Sequence, residues 1–216
     1  MPRLVSASLL SAAVVTLAAG CGGGGDAKDK SAGDGAAPAA EASTGNSDEL
    51  TATLVDAKGT KVGTAEFSAK DGGVEVSVEV TGLPPGFHGF HLHSIGVCEP
   101  DSVSPTDPTM KGDFLSAGGH IGAKETHHGE HPGDLPSLFV EDSGAGSLEF
   151  VTDAVTLADL TDDDGSAVMI HADRDNYANI PERYAPNGPD EVTLNTGDAG
   201  GRIACGPIEG SGQGGS

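Results

Sequence analysis

Valine recurs at every second position of Gly73-Val-Glu-Val-Ser-Val-Glu-Val80, with Glu75, Ser77 and Glu79 between. A period of two puts the four valines on one face of an extended chain, which predicts a strand with one buried side. Residues 50–55, 62–68, 137–141, 147–151 and 167–171 are shorter strand candidates, rich in Val, Phe, Thr and Ile. Turn formers separate them: Asp71-Gly72, Pro84-Pro85-Gly86, Asp142-Ser143-Gly144 and Asp164-Gly165. Helical periodicity is poor throughout, and residues 154–160 are its best stretch. Many short strands between turns predict an all-β sandwich or barrel. Residues 94–136 and 172–201 carry little strand pattern, and loops of that length inside a compact domain are usually functional or disordered.

The chain ends read differently. Residues 4–19 form an uncharged, mostly apolar run behind Arg3 and stop at Gly20-Cys21. The run falls short of the roughly 20 residues a membrane span needs, so residues 1–20 read as a signal peptide. Leu17-Ala-Ala-Gly-Cys21 resembles a bacterial lipobox, which would make Cys21 the lipidated first residue of an exported protein. Residues 21–49 hold Gly, Ala, Asp, Ser and Lys with almost no large apolar side chain, as expected of a flexible tether. The tail 210–216 has the same character, leaving a domain at 50–209. With Cys21 lipidated, Cys98 and Cys205 remain as a pair in an oxidising compartment and predict a disulfide.

Charge narrows the partners. The 216 residues carry 33 Asp and Glu against 11 Lys and Arg, a formal charge of −22. Such a field repels phosphate backbones and anionic lipid, so nucleic acid is excluded as a partner and a membrane is reached only through the lipid. Cation binding is left open.

Eight histidines occur, none before residue 88. His91 and His93 stand two apart on a strand-like segment and share a face. His120, then His127, His128 and His131 with Asp134, and finally His171 follow in separate segments. Imidazole clusters with an added carboxylate are ligand sets for copper, zinc, iron or nickel.

Gly86-Phe-His-Gly-Phe-His-Leu-His93, Ser116-Ala-Gly-Gly-His120, His131-Pro-Gly-Asp-Leu135, Ile170-His171 and Thr196-Gly-Asp-Ala-Gly-Gly-Arg-Ile-Ala-Cys-Gly206 are similar, in order and spacing, to the signature segments of copper/zinc superoxide dismutases. The exported bacterial type, including lipid-anchored forms, is the nearest likeness. The resemblance implies a Greek-key barrel of about eight antiparallel strands with two long functional loops. It implies copper ligands His91, His93, His120 and His171, and zinc ligands His120, His128, His131 and Asp134, with His120 bridging the two metals. The resemblance favours His128 over His127, since His128 lies eight residues past the bridging histidine and precedes a glycine, as in the family. His88, an odd number of strand positions from His91, is expected to face away from the metals. Asp175, four residues past His171, matches the carboxylate that links a copper ligand to a zinc ligand, here His91 and His128. Arg202, three residues before Cys205, matches the arginine beside copper.

The zinc segment is short, with two residues between His128 and His131, yet all four positions are filled and one zinc is expected beside one copper per subunit. The implied reaction is dismutation of superoxide to O2 and H2O2 at the cell surface, in a monomer or homodimer, with His120 and Arg202 catalytic. The competing reading is a non-catalytic copper- or zinc-carrying surface lipoprotein.

Overall fold

The computed structural model describes residues 49–210. The signal peptide, Cys21, nearly all of the tether and the tail beyond Gly210 lie outside the described residues.

Twelve strands are present: β1 (Glu49–Val55), β2 (Lys61–Lys70), β3 (Gly73–Val80), β4 (Gly86–His88), β5 (Phe90–His93), β6 (Ser102–Val103), β7 (Lys111–Gly112), β8 (Leu138–Val140), β9 (Gly146–Thr152), β10 (Ala167–His171), β11 (Arg202–Pro207) and β12 (Glu209–Gly210). Among the described residues, helical structure is confined to a 3-10 turn at Leu115–Ala117 and one six-residue helix, α1 (Glu191–Thr196). Every candidate strand read from the sequence is a strand here. In β3 the four valines are buried and Glu79 is exposed, as the alternation requires. The turn between β2 and β3 is Asp71-Gly72, both at positive φ, the two-residue turn whose twist suits a hairpin.

Ten strands form one antiparallel sheet in the order β4-β8-β9-β3-β2-β1-β11-β10-β5, with β12 added on β1. Its first and last members, β4 and β5, are consecutive pieces of chain joined by Gly89. The sheet therefore returns on itself as a nearly closed barrel. Pairing of chain-distant strands, β3 with β9 and β1 with β11, gives the Greek-key connectivity. The expected eight strands become twelve because the fourth is split at Gly89, whose N–H donates to Asp173 O in the 172–201 loop, β12 is added on β1, and β6 and β7 pair apart from the barrel.

The stretch 154–160 is not a helix. Val155 and Leu160 both enter the core, and five residues apart on a helix they would point about 140° away from each other. Thr156 and Asp159 instead close a turn, each side chain accepting the other's backbone N–H.

The barrel interior is apolar: Leu54, Phe67, Val76, Phe90, Leu92, Leu138, Ile170 and Ala204 are all fully buried in one cluster. Phe90 and Leu92 face inward, so by alternation His91 and His93 face outward. On β10, Val168 and Ile170 face inward and Ala167 and Met169 outward, which puts His171 on the same outer face. All nine residues of β5 and β10 are nonetheless buried, because the 94–136 and 172–201 loops cover that face.

Candidate metal centre

The two long loops bring the remaining ligands to the outer face. Residues 120–134 run along β5 as an irregular extra edge, with bridges His93 to His120 and His91 to Asp134. Ile121 N–H donates to Leu92 O and Leu92 N–H to Gly133 O, so both neighbours of the site are pinned to the barrel by backbone. From the other side, α1 is capped by Asp190, whose carboxylate accepts Thr193 N–H at 2.9 Å. Its Leu194 carbonyl accepts His128 N–H at 2.8 Å, joining the two loops.

The result is two groups of potential ligands: His91, His93, His120 and His171, and His91, His120, His128 and Asp134. Hydrogen bonds behind the rings fix which nitrogen faces inward. His93 Nδ1 donates to Gly118 O at 2.9 Å and His171 Nδ1 to Gly200 O at 3.1 Å, since a carbonyl can only accept. His91 Nε2 donates to Asp175 Oδ2 at 2.6 Å. The opposite nitrogens, His91 Nδ1, His93 Nε2 and His171 Nε2, are buried and have no hydrogen-bond partner. Three buried lone pairs without a donor are costly unless a cation receives them. They fit copper, an imidazole-binding metal.

The second group is organised around Asp134. Its Oδ1 lies 2.9 Å from His120 Nδ1, 3.0 Å from His128 Nδ1 and 3.2 Å from His131 Nδ1, and His120 Nδ1 and His131 Nδ1 are 3.4 Å apart. Four atoms about 3.3 Å apart describe a tetrahedron around a bond of about 2.0 Å, the zinc geometry. His128 Nδ1 makes no hydrogen bond despite its 3.0 Å approach to Asp134, so both atoms point at a common third position. His91, although within reach of this group, spends its Nε2 on Asp175. His131 donates its Nε2 to Thr126 O and keeps Nδ1 for the centre, so His131 is the better fourth member. His91 and His120 fall in both groups, and with His91 Nε2 given to Asp175, His120 is the better candidate to face both.

Asp175 lies behind both groups, accepting from His91 through Oδ2 and from His128 at 2.8 Å through Oδ1. Such a carboxylate fixes tautomer and ring orientation in both rings at once. Burial opposes its charge, but these two donors and Tyr177 N–H hold Asp175 far below the usual carboxylate range. Burial likewise disfavours a charged His128, yet Asp134 and Asp175 more than offset it and raise the ring to about 9. Burial without such partners pushes His93 and His171 well down, and lowers His120 to about 4 despite the Asp134 hydrogen bond.

Arg202 stands across the strand pair from His171. Its guanidinium donates to Phe114 O and, at 2.6 Å, to Gly118 O, the carbonyl that also holds His93. Burial lowers Arg202 to about 10, leaving it a cation at neutral pH. Cys98 and Cys205 form the expected disulfide, tying the loop that carries those carbonyls to β11. His127 is exposed and His128 buried. His88 takes no part in either group: its nitrogens lie 2.7 Å from His171 O and 2.8 Å from Pro84 O.

The sequence reading missed the supports. Gly118 and Gly200 act through carbonyls, which no side-chain pattern can show. Gly197, at φ 58°, packs where a Cβ would overlap Asp175 Oδ1 and His128 Nε2. Tyr177 touches both Asp175 and His128.

Residues 61–208 match the family described as copper/zinc superoxide dismutase. Among curated proteins, the superoxide dismutase [Cu-Zn] of Mycolicibacterium paratuberculosis is 49% identical over 181 residues, covering 80% of this chain and 79% of its own. That of Mycobacterium tuberculosis is 49% identical over 167 residues, 74% of this chain and 69% of its own. Among solved structures, the Cu/Zn superoxide dismutase from Brucella abortus is 31% identical, with a TM-score of 0.57, over 75% of this chain and all of that one.

Proposed function

The chain belongs to the copper/zinc superoxide dismutase family, and we propose that it converts superoxide to O2 and H2O2 at the centre built by His91, His93, His120, His171, His128, His131 and Asp134. The observation that carries this reading is the pair of buried ligand groups sharing His120, with three lone pairs left for a cation and a fixed arginine beside them. Copper, which His91, His93, His120 and His171 would hold, would supply a one-electron couple, and zinc, which His120, His128, His131 and Asp134 would hold, would supply no redox chemistry.

The chain's own residues do the rest. Arg202 binds the anion through a cation that cannot be deprotonated at working pH, held at a fixed angle by two carbonyls. His120 has Nδ1 at the zinc group, and its Nε2 is left for the copper side and for a proton. That nitrogen is the position from which a proton would be accepted and passed on to the product. His131, His128 and Asp134 hold His120 in position. A metal-carrying protein without turnover has no use for Arg202 fixed at the mouth of the copper group.

Signal peptide and lipobox support export and anchoring through Cys21, with the domain outside the cytoplasm. Superoxide decay on metal-loaded protein, with metal content measured, tests the assignment. His120→Ala and Arg202→Ala should each lower the rate while the fold persists. Full activity in His120→Ala refutes its role, and stoichiometric copper without activity in the wild type refutes the enzyme reading. Mass spectrometry of the mature N-terminus tests the anchor, which an unmodified Cys21 rules out.

A further inference from the structure

We propose that Tyr177 is a positioning residue of the zinc half-site, a strut that clamps His128 and Asp175 to the barrel wall; the inference rests on the two-metal reading above. Three independent contacts meet on this residue. Its backbone N–H donates to Asp175 Oδ1 at 2.7 Å, on the oxygen that also receives His128 Nε2. Its ring lies nearly parallel to the His128 imidazole, 20° between planes and 6.2 Å between centroids, within the range of offset stacking. Its hydroxyl reaches the barrel: Oη accepts Ser137 N–H at 2.8 Å, lies 3.0 Å from Ser137 Oγ and donates to Leu135 O at 3.2 Å.

Leu135 is fully buried in the core and Ser137 leads directly into β8, so the hydroxyl is anchored to rigid structure. The other end of the residue holds a loop. Tyr177 and Ala178 take φ of 53° and 52°, a left-handed conformation that costs side-chain-bearing residues roughly 1–2 kcal/mol each. A backbone held there is over-determined by its surroundings, here the Asp175 bond on one side and Gly129 on the other, where a Cβ would overlap Tyr177 O. Gly129 follows His128 directly. The tyrosine thus grips the zinc segment through the ring and through the backbone, while its hydroxyl refers both to the barrel. A ring sliding away from His128 frees the imidazole to turn about the Asp175 bond and lose its line to the metal.

The test uses the whole mature protein with Tyr177→Leu, Tyr177→Phe and, as control, Tyr184→Leu, which removes an exposed aromatic of the same loop. Zinc release to a coloured chelator, the d–d spectrum of cobalt placed in the zinc site, copper content, and melting temperature with and without zinc are measured. Tyr177→Leu should release zinc about tenfold faster, the scale for groups that orient ligands. It should also shift the cobalt bands and shrink the zinc-dependent rise in melting temperature, with copper still stoichiometric. Tyr177→Phe keeps the ring and should retain the wild-type cobalt spectrum while releasing zinc about threefold faster, the loss expected from a hydroxyl anchor. Tyr184→Leu should match the wild type.

Wild-type zinc release and cobalt spectrum in Tyr177→Leu overturn the proposal. So does an equal fall in melting temperature with and without zinc, which marks a purely structural role. If Tyr177→Leu does not fold, Tyr177→Phe decides: zinc release at the wild-type rate overturns the strut. A wild type that takes up no zinc defeats the two-metal reading and this inference together, whereas a zinc-loaded wild type with indifferent variants defeats the strut alone.

Discussion

His91, His93, His128 and His171 each spend one nitrogen on a carbonyl or carboxylate behind the ring, whereas His120 has no such partner and turns Nδ1 to Asp134, and this division has consequences in the metal-free protein. His93, His171 and His120 stay neutral in the fold while the unfolded chain protonates near pH 6.5, so the unfolded state binds more protons below that pH and stability falls as acid is added. His128 behaves oppositely. Held protonated up to about 9, it contributes stability that is fully present below about 6.5 and disappears as pH rises through 9. The site therefore gives the apo-protein a stability maximum near pH 6–7, to be seen in melts at pH 4.5, 6.5 and 9.5; a melting temperature still rising at 9.5 refutes it. Gly197 supplies a second test. Alanine there meets both a left-handed backbone and the Asp175–His128 bond, so Gly197→Ala should cost about 1–3 kcal/mol and accelerate zinc loss, read by melts and by zinc content after dialysis. At this scale the candidate ligands were legible in the sequence because imidazoles are rare and spaced. The carbonyls of Gly118 and Gly200 were not, because every residue has one.

Strand alternation brings His91, His93 and His171 to one face, but it does not by itself deliver Arg202. In β11, Ala204 faces the core and Cys205 the outer side, so a regular strand would turn Arg202 inward. A register shift between Ile170 and His171 removes that conflict, placing Arg202 opposite His171 and letting Ile203 pack against the core. Bulges beside active sites commonly re-aim a side chain in this way. The disulfide matters at the same scale, since it holds the loop whose Phe114 and Gly118 carbonyls receive the guanidinium. Cys205→Ser should lose about 4–5 kcal/mol in the chain-entropy account of a loop of 107 residues, and activity should fall further than copper content. Denaturant melts and metal analysis check this; unchanged activity per copper separates the disulfide from Arg202.

Over the whole molecule, the charge of −22 opposes the approach of an anionic substrate. Residues 50–209 alone hold 27 acidic and 8 basic residues, and in the 172–201 loop Arg174 and Arg183 are outnumbered by their carboxylate neighbours. Attraction is therefore local to copper and Arg202, acting within about 8 Å at physiological salt. Raising ionic strength should leave the second-order rate with superoxide nearly unchanged or increase it; a steep fall refutes this account. The sequence by itself determined the strand pattern, the clustered histidines, the cysteine pair and the family, because apolar period and rare side chains are local properties of the chain. Only the tertiary structure decided which nitrogen of each ring faces inward, that the bulge turns Arg202 to the site, and that Gly197 and Tyr177 support it. Those depend on backbone atoms and contacts between residues far apart in sequence, which come into being only when the loops close over the barrel's outer face.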